Sequence, residues 1–129
     1  MKRLVFITFA LLTFVMAGIN AQDNNDTVII SFDKEVYDYG VVERGSDGSC
    51  EFNFTNEGKK PLILSSVSSS CGCTVPEWPR TPVAPGETAK ISVRYDTKRV
   101  GAFTKTVTVR SNASTPTKIL RIKGEVTAN

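Results

Sequence analysis

From Val28 onward the chain is a succession of short runs in which apolar and polar side chains alternate, separated by Gly, Pro, Asn and Asp. A period of two marks strands with one buried face, because successive side chains leave a strand on opposite sides. The pattern predicts strands near Val28 to Phe32, Val41 to Glu43, Cys50 to Thr55, Leu62 to Ser66, Ala89 to Tyr95, Phe103 to Arg110 and Lys118 to Val126, and no helix. In Ala89 to Tyr95 the apolar positions are Ala89, Ile91, Val93 and Tyr95, and a slip of one residue would bury Lys90 and Arg94. Cys50, Phe52 and Phe54 form the same inward comb between Glu51 and Asn53. Phe103, Val107 and Val109 are a third inward set, in which Lys105 is a misfit expected where the sheet frays. Pro82, Pro85 and Gly86 mark a turn, and residues 111 to 116 a long hairpin. About seven such strands with turn punctuation predict an all-β, immunoglobulin-like antiparallel β-sandwich.

The amino-terminal residues do not share this pattern. Met1-Lys2-Arg3, an apolar run from Leu4 to Ile19, and Asn20-Ala21-Gln22 follow the order of a cleavable secretory signal, assigned to residues 1–21. Residues 22–27 read as a flexible polar leader and 28–129 as the folded domain. The apolar run falls short of the ~18 residues of a membrane span and no later stretch approaches it, so no integral span is expected. No cysteine stands at the junction to carry a lipid anchor. The expectation is a periplasmic or secreted protein.

Removing the signal changes the charge. The 16 basic side chains less Lys2 and Arg3 leave 14 against 13 acidic ones, a net charge of +1. That balance argues against a nucleic-acid partner, which needs a concentrated positive surface. Histidine is absent, and the two methionines are Met1 and Met16, so the mature chain has neither residue. With no histidine base and no Gly-rich phosphate cradle, the sequence predicts no enzyme and no cofactor.

The unusual chemistry is concentrated in SSSCGCTVPEWP, Ser68 to Pro79. The chain has three cysteines, Cys50, Cys71 and Cys73, so an oxidising compartment leaves one unpaired under any scheme. Cys71 with Cys73 is the pairing expected first. On an extended chain their Cα atoms would sit near or beyond the upper end of the roughly 4.4–6.8 Å a disulfide accepts, and Gly72 is expected to let the backbone turn and close that gap. So small a ring would be a poor staple, shaping the loop locally or serving as an easily reduced redox handle. The alternative, Cys50 with Cys71 or Cys73, would close a loop of about 20 residues for roughly 3 kcal/mol. Metal binding is disfavoured because two thiolates leave a site short of ligands. Trp78, between Pro76 and Pro79, is either a lid over the end of the sandwich or an exposed anchor. In the second case the segment from Cys71 to Arg80, with Thr74, Trp78 and Arg80, is the leading partner surface.

Taken in order, DYGVVERG, FNFTNEGKKPLIL, CGCTVPEWP, VAPGETAKISVRYDTKRVGAFTKTVTVRSN and ILRIKGEV resemble the DUF1573 domain of exported bacterial proteins, itself similar to immunoglobulin-like modules of the major sperm protein and ASH type. The resemblance covers roughly Asp33 to Val126. It implies an immunoglobulin-like sandwich with Cys71 to Thr74 in the connection after the third or fourth strand; Gly40, Gly58, Gly86 and Gly101, which fit its pattern, read physically as turn positions tolerant of positive φ. It implies no activity, and Cys50 departs from its two-cysteine scheme. The expectation is a non-catalytic binding or assembly module of the cell envelope, recognising a protein or glycan through loops or a sheet edge. The alternative is a small thiol redox or metal-handling protein built on Cys71-Gly72-Cys73.

Overall fold

Eight strands, two sheets and no helix make up residues 27–128, the part of the chain that the computed structural model describes. The expected signal peptide, residues 1–21, and nearly all of the polar leader lie outside the described residues. The strands are β1 (Ile30–Phe32), β2 (Val36–Glu43), β3 (Ser49–Asn56), β4 (Leu64–Ser69), β5 (Thr74–Glu77), β6 (Thr88–Tyr95), β7 (Gly101–Ser111) and β8 (Thr117–Thr127). One sheet has the order β1-β3-β6-β5, the other β2-β8-β7-β4. Most connections pass from one sheet to the other, so neither layer can form alone, and only β5–β6 and β7–β8 stay within a sheet.

Alternation of side chains determines which face of each strand is buried. Phe52 and Phe54 of β3, Ile91 and Val93 of β6, Val107 and Val109 of β7, and Leu120 and Ile122 of β8 are all at most 1% exposed and belong to one core. Each such side chain contributes about 1.5–3 kcal/mol relative to exposure. Glu51, Asn53, Lys90 and Arg94 face water between them, as the pattern requires.

The fold departs from the sequence reading at several places, of which five bear on the strands and turns. First, the sandwich is not wholly antiparallel: β2 runs parallel to β8, and alternation is blind to this because it is the same in both directions. Second, β2 begins at Val36 rather than Val41. Gly40, at φ 70°, shifts the register between Asp38 and Val41 and breaks the alternation that marks a strand. Third, β5 was expected to be loop. Pro76 punctuates it, and proline is tolerated because β5 is an edge strand with one side free of ladder bonds. Fourth, Lys105 is not at a frayed end but in mid-β7, opposite Ile122 and half-buried, where a long aliphatic stem covers apolar surface. Fifth, Gly58 has no positive φ; a Cβ there would lie 2.4 Å from the Thr27 carbonyl oxygen, so close backbone approach demands the glycine.

Asn56, at the end of β3, is fully buried. Its Nδ2 donates to the Lys60 and Val83 carbonyls at 2.8 and 2.9 Å, and its Oδ1 accepts from Gly58 N at 2.9 Å. One side chain thereby ties the β3–β4 connection to the turn before β6. Leucine at this position fills similar volume but strands a backbone donor and two acceptors. Asn56→Leu is expected to lower unfolding free energy by about 3 kcal/mol or more, read from the urea midpoint.

Candidate functional site

After β4 the chain has four residues in which to cross between the sheets, and serine and cysteine side chains hold that crossing. Ser70 N donates to the Thr106 carbonyl at 3.0 Å, and Ser70 Oγ accepts from Thr106 N at 3.2 Å. Thr74 N donates to the Cys71 carbonyl at 3.1 Å, and Asp96 N to the Cys73 carbonyl at 2.9 Å. Ser69 Oγ lies 2.6 Å from the Cys71 oxygen and 2.8 Å from that of Thr74. On this turn Cys71 and Cys73 form a disulfide with Cα atoms 5.1 Å apart. Cys73 is buried at 4% exposure, and Cys71 is half-buried. Cys73 N–H points to Cys71 Sγ at 3.1 Å, and Thr74 Oγ1 lies 3.8 Å from Cys73 Sγ.

Gly72 does not act as expected. It has no positive φ, and a Cβ added there would meet nothing within 4 Å. The turn closes through the surrounding hydrogen bonds, without a conformation reserved for glycine.

Two further loops meet this turn. Gly45 N donates to the Thr97 carbonyl at 3.2 Å, and Thr97 Oγ1 donates back to the Ser46 carbonyl. The Gly48 carbonyl accepts from Tyr95 N at 2.9 Å and from the Tyr39 hydroxyl at 2.6 Å. A Cβ on Gly48 would lie 2.1 Å from the Tyr95 oxygen, so only glycine permits this approach. Asp47 Oδ1 accepts from Ser49 N at 2.9 Å, and the Ser49 hydroxyl first and this backbone bond second hold the carboxyl below its ordinary pKa. The three loops enclose an open cleft of about 430 Å³ whose walls include Gly45 to Gly48, Gly72, Cys73, Val75 and Arg94 to Lys98. Two carboxylates, Asp47 and Asp96, and two cations, Arg94 and Lys98, stand on its walls.

Cys50 lies apart from the disulfide. It is an unpaired thiol, 6% exposed, with β6 between its own strand and β5. Burial raises its pKa above the ordinary 9.0, opposed by its hydrogen bond with Tyr39. Burial likewise pushes the Tyr39 hydroxyl far up, with the Cys50 bond adding to it, and raises Tyr95. The rings of Tyr37, Tyr39, Phe103 and Tyr95 continue from there in successive contact, ending in a Tyr95–Phe103 stack at 3.8 Å. Among the described residues no three His, Cys, Asp or Glu side chains converge as metal ligands.

The expected partner surface from Cys71 to Arg80 does not exist as one loop, because Thr74–Glu77 is β5. Thr74 is 3% exposed, so it supports the disulfide from within and offers nothing to a partner. Trp78 packs half-buried against the core, with the Arg80 guanidinium 3.8 Å over its ring. Its Nε1 is buried without an acceptor among the described residues. Sequence reasoning missed Gly48, Thr97 and Tyr39. The Asp47-Gly48 pair is a turn signal that points to Gly48, whereas Thr97 and Tyr39 carry no local signal.

Gly72→Ala is expected to keep the disulfide and to change unfolding free energy by less than about 1 kcal/mol, whereas Gly48→Ala is expected to lose several times more. Thiol quantification and urea unfolding compare the two. Folding raises the pKa of Cys50, Tyr39 and Tyr95, so the folded state holds these protons more tightly than the unfolded chain does. Their contribution is fully present below about pH 9 and is lost as pH rises. The urea midpoint is expected to begin falling near pH 9, and only near pH 10 in Cys50→Ala.

No curated protein matches the chain. Among solved structures it is similar to a protein of unknown function from Porphyromonas gingivalis W83, at 19% identity and TM-score 0.68, over 77% of this chain and 47% of that one. It is similar to the ASH/PapD-like domain 7 of human CEP192, at 10% identity and TM-score 0.65, over 91% of this chain and 98% of that one. The YadV chaperone is a further neighbour, at 14% identity and TM-score 0.51, over 79% of this chain and 52% of that one. The chain thus spans about half the length of the Porphyromonas protein, and at these identities the likeness is one of fold. The family profile described as "Protein of unknown function (DUF1573)" matches residues 30–126, well over half of the chain. By that match the chain belongs to the DUF1573 family.

Proposed function

We propose that this protein is an exported, non-catalytic binding or assembly module of the bacterial cell envelope, periplasmic or secreted, that recognises an envelope protein or glycan. The observation that carries this reading is the cleft at the disulfide end of the sandwich. Its loops are clamped by side-chain to backbone bonds from Thr97, Tyr39 and Asp47, so a ligand would meet a surface that needs little ordering. A concave, largely preformed surface with a few convergent polar groups is what small and extended ligands require. The two carboxylates and two cations balance, which favours a polar, uncharged or mixed ligand over a polyanion. The fold shared with a PapD-like domain and a chaperone supports a binding role by likeness alone.

The β2 edge is another surface open to a partner. It carries no second neighbour in its sheet among the described residues, and Val36 and Val41 are 46% and 69% exposed. An extended peptide could add to such an edge through main-chain bonds.

Capture from native envelope extract by the immobilised mature domain is expected to yield a reproducible partner. That partner should be lost from a Lys98→Glu, Asp47→Lys double variant, with at least a tenfold fall in affinity, and retained by Val41→Lys. Loss in Val41→Lys alone would move recognition to the β2 edge. Capture unaffected by either variant, or no capture at all, would overturn the reading.

A further inference from the structure

We propose that Cys71–Cys73 is a thiol-exchange site that accepts electrons from a dithiol of a partner protein, with Cys71 as the attacked sulfur and Cys73 as the leaving one. Three observations carry it. The first is asymmetry of access: Cys71 is half-buried while Cys73 is 4% exposed, so an incoming thiolate reaches Cys71. The second is that each sulfur already faces a hydrogen-bond donor. A disulfide sulfur carries no proton, so the Thr74 hydroxyl, 3.8 Å away, is the donor toward Cys73 Sγ, and Cys73 N–H is the donor toward Cys71 Sγ at 3.1 Å. Donors aimed at sulfur stabilise the thiolate that exchange releases. The third is that the turn does not need the disulfide. Bonds from Ser70 to Thr106, from Asp96 to Cys73 and within Cys71 to Thr74 hold it, while a link spanning two residues removes little unfolded-chain entropy. The bond can therefore open and reform on a fixed frame.

The exchange balances as follows. A partner thiolate attacks Cys71 Sγ; the partner–Cys71 bond forms, the Cys71–Cys73 bond breaks, and the electron pair leaves on Cys73 Sγ, close to the Thr74 hydroxyl. The partner's second thiolate then attacks the partner sulfur of this mixed disulfide and expels the Cys71 thiolate. The two protons given up by the partner's thiols end on Cys71 and Cys73; the partner dithiol is oxidised and this disulfide is reduced. Cys50 does not compete, because β6 separates it from β5 and its thiol is 6% exposed. Exchange is thus directed outward, beside the cleft that Gly72 and Cys73 help to line. It adds one reaction to a domain otherwise proposed only to bind, and it does not depend on which ligand the cleft takes.

The test uses the mature protein with glutathione as the probe, read by alkylation and intact mass. In millimolar reduced glutathione at neutral pH the native protein is expected to lose the disulfide, keep its far-ultraviolet sheet spectrum, and regain the bond when oxidised glutathione is added. In oxidised glutathione, Cys73→Ser is expected to accumulate a glutathione adduct on Cys71 at least tenfold faster than Cys71→Ser does on Cys73, each adduct forming by exchange that releases one reduced glutathione. Thr74→Val is expected to slow reduction about tenfold, the worth of one hydrogen bond to a developing charge, while Thr74→Ser keeps the wild-type rate. A disulfide that stays closed in the native protein and opens only in denaturant would overturn the proposal. So would equal adduct formation on the two sulfurs, or an unchanged rate in Thr74→Val.

Discussion

The structure depends on a single apolar seam between two sheets. Phe52, Phe54, Ile91 and Val93 from one layer and Val107, Val109, Leu120 and Ile122 from the other are sealed from water. Because the chain crosses between layers at most connections, none of these faces is covered until the opposite sheet is in place. Every loop at the ends of the sandwich takes its position from that seam. The spacing of the layers determines where β4 ends and β5 begins, and hence that a four-residue turn with two cysteines can bridge them.

Toward the disulfide end the seam continues in tyrosine and phenylalanine rings. The Tyr95–Phe103 stack and the edge-on contact of Phe103 with Tyr39 fill the space between the layers, and the Tyr39 hydroxyl reaches out to hold Gly48. The same side chain therefore closes the core and anchors a wall of the cleft. Polar anchoring of this kind recurs: Thr97 holds the loop after β2, Asn56 the connection after β3, and Ser70 the cysteine turn. Connections that are mostly glycine, serine and aspartate become firm because each is tied to a neighbour's backbone rather than packed on apolar surface. The disulfide sits among these ties as an addition, which separates its chemistry from the integrity of the fold. Trp78 keeps a polar atom left over: its ring gains contact with the core and with Arg80, while its buried Nε1 has no acceptor among the described residues.

Much of this was legible in the residues themselves. Alternation placed Cys50, Phe52 and Phe54, and likewise Ile91, Val93 and Tyr95, on the buried side, because the period of a strand is a local property that a run of seven residues displays in full. Where the run is broken the reading shortened or failed. Gly40 and its bulge hid the first half of β2, the serines of β4 offered no apolar signal, and Pro76 disguised β5 as loop. The pairing of Cys71 with Cys73 was the one expected first, and the burial of Cys50 followed from its comb.

By itself, then, the sequence determined the all-β class, the inward set of side chains and the segment that carries the sulfur chemistry, since each is written in neighbouring residues. Only the tertiary structure decided that β2 runs parallel to β8, that Thr74 is buried beneath the disulfide, and that the loops bearing Gly48 and Thr97 meet the cysteine turn to form a cleft. The physical reason is separation along the chain. Strand direction and loop convergence depend on groups tens of residues apart, brought together by burial of apolar surface, and burial leaves no periodic mark on the connecting segments whose final places it sets.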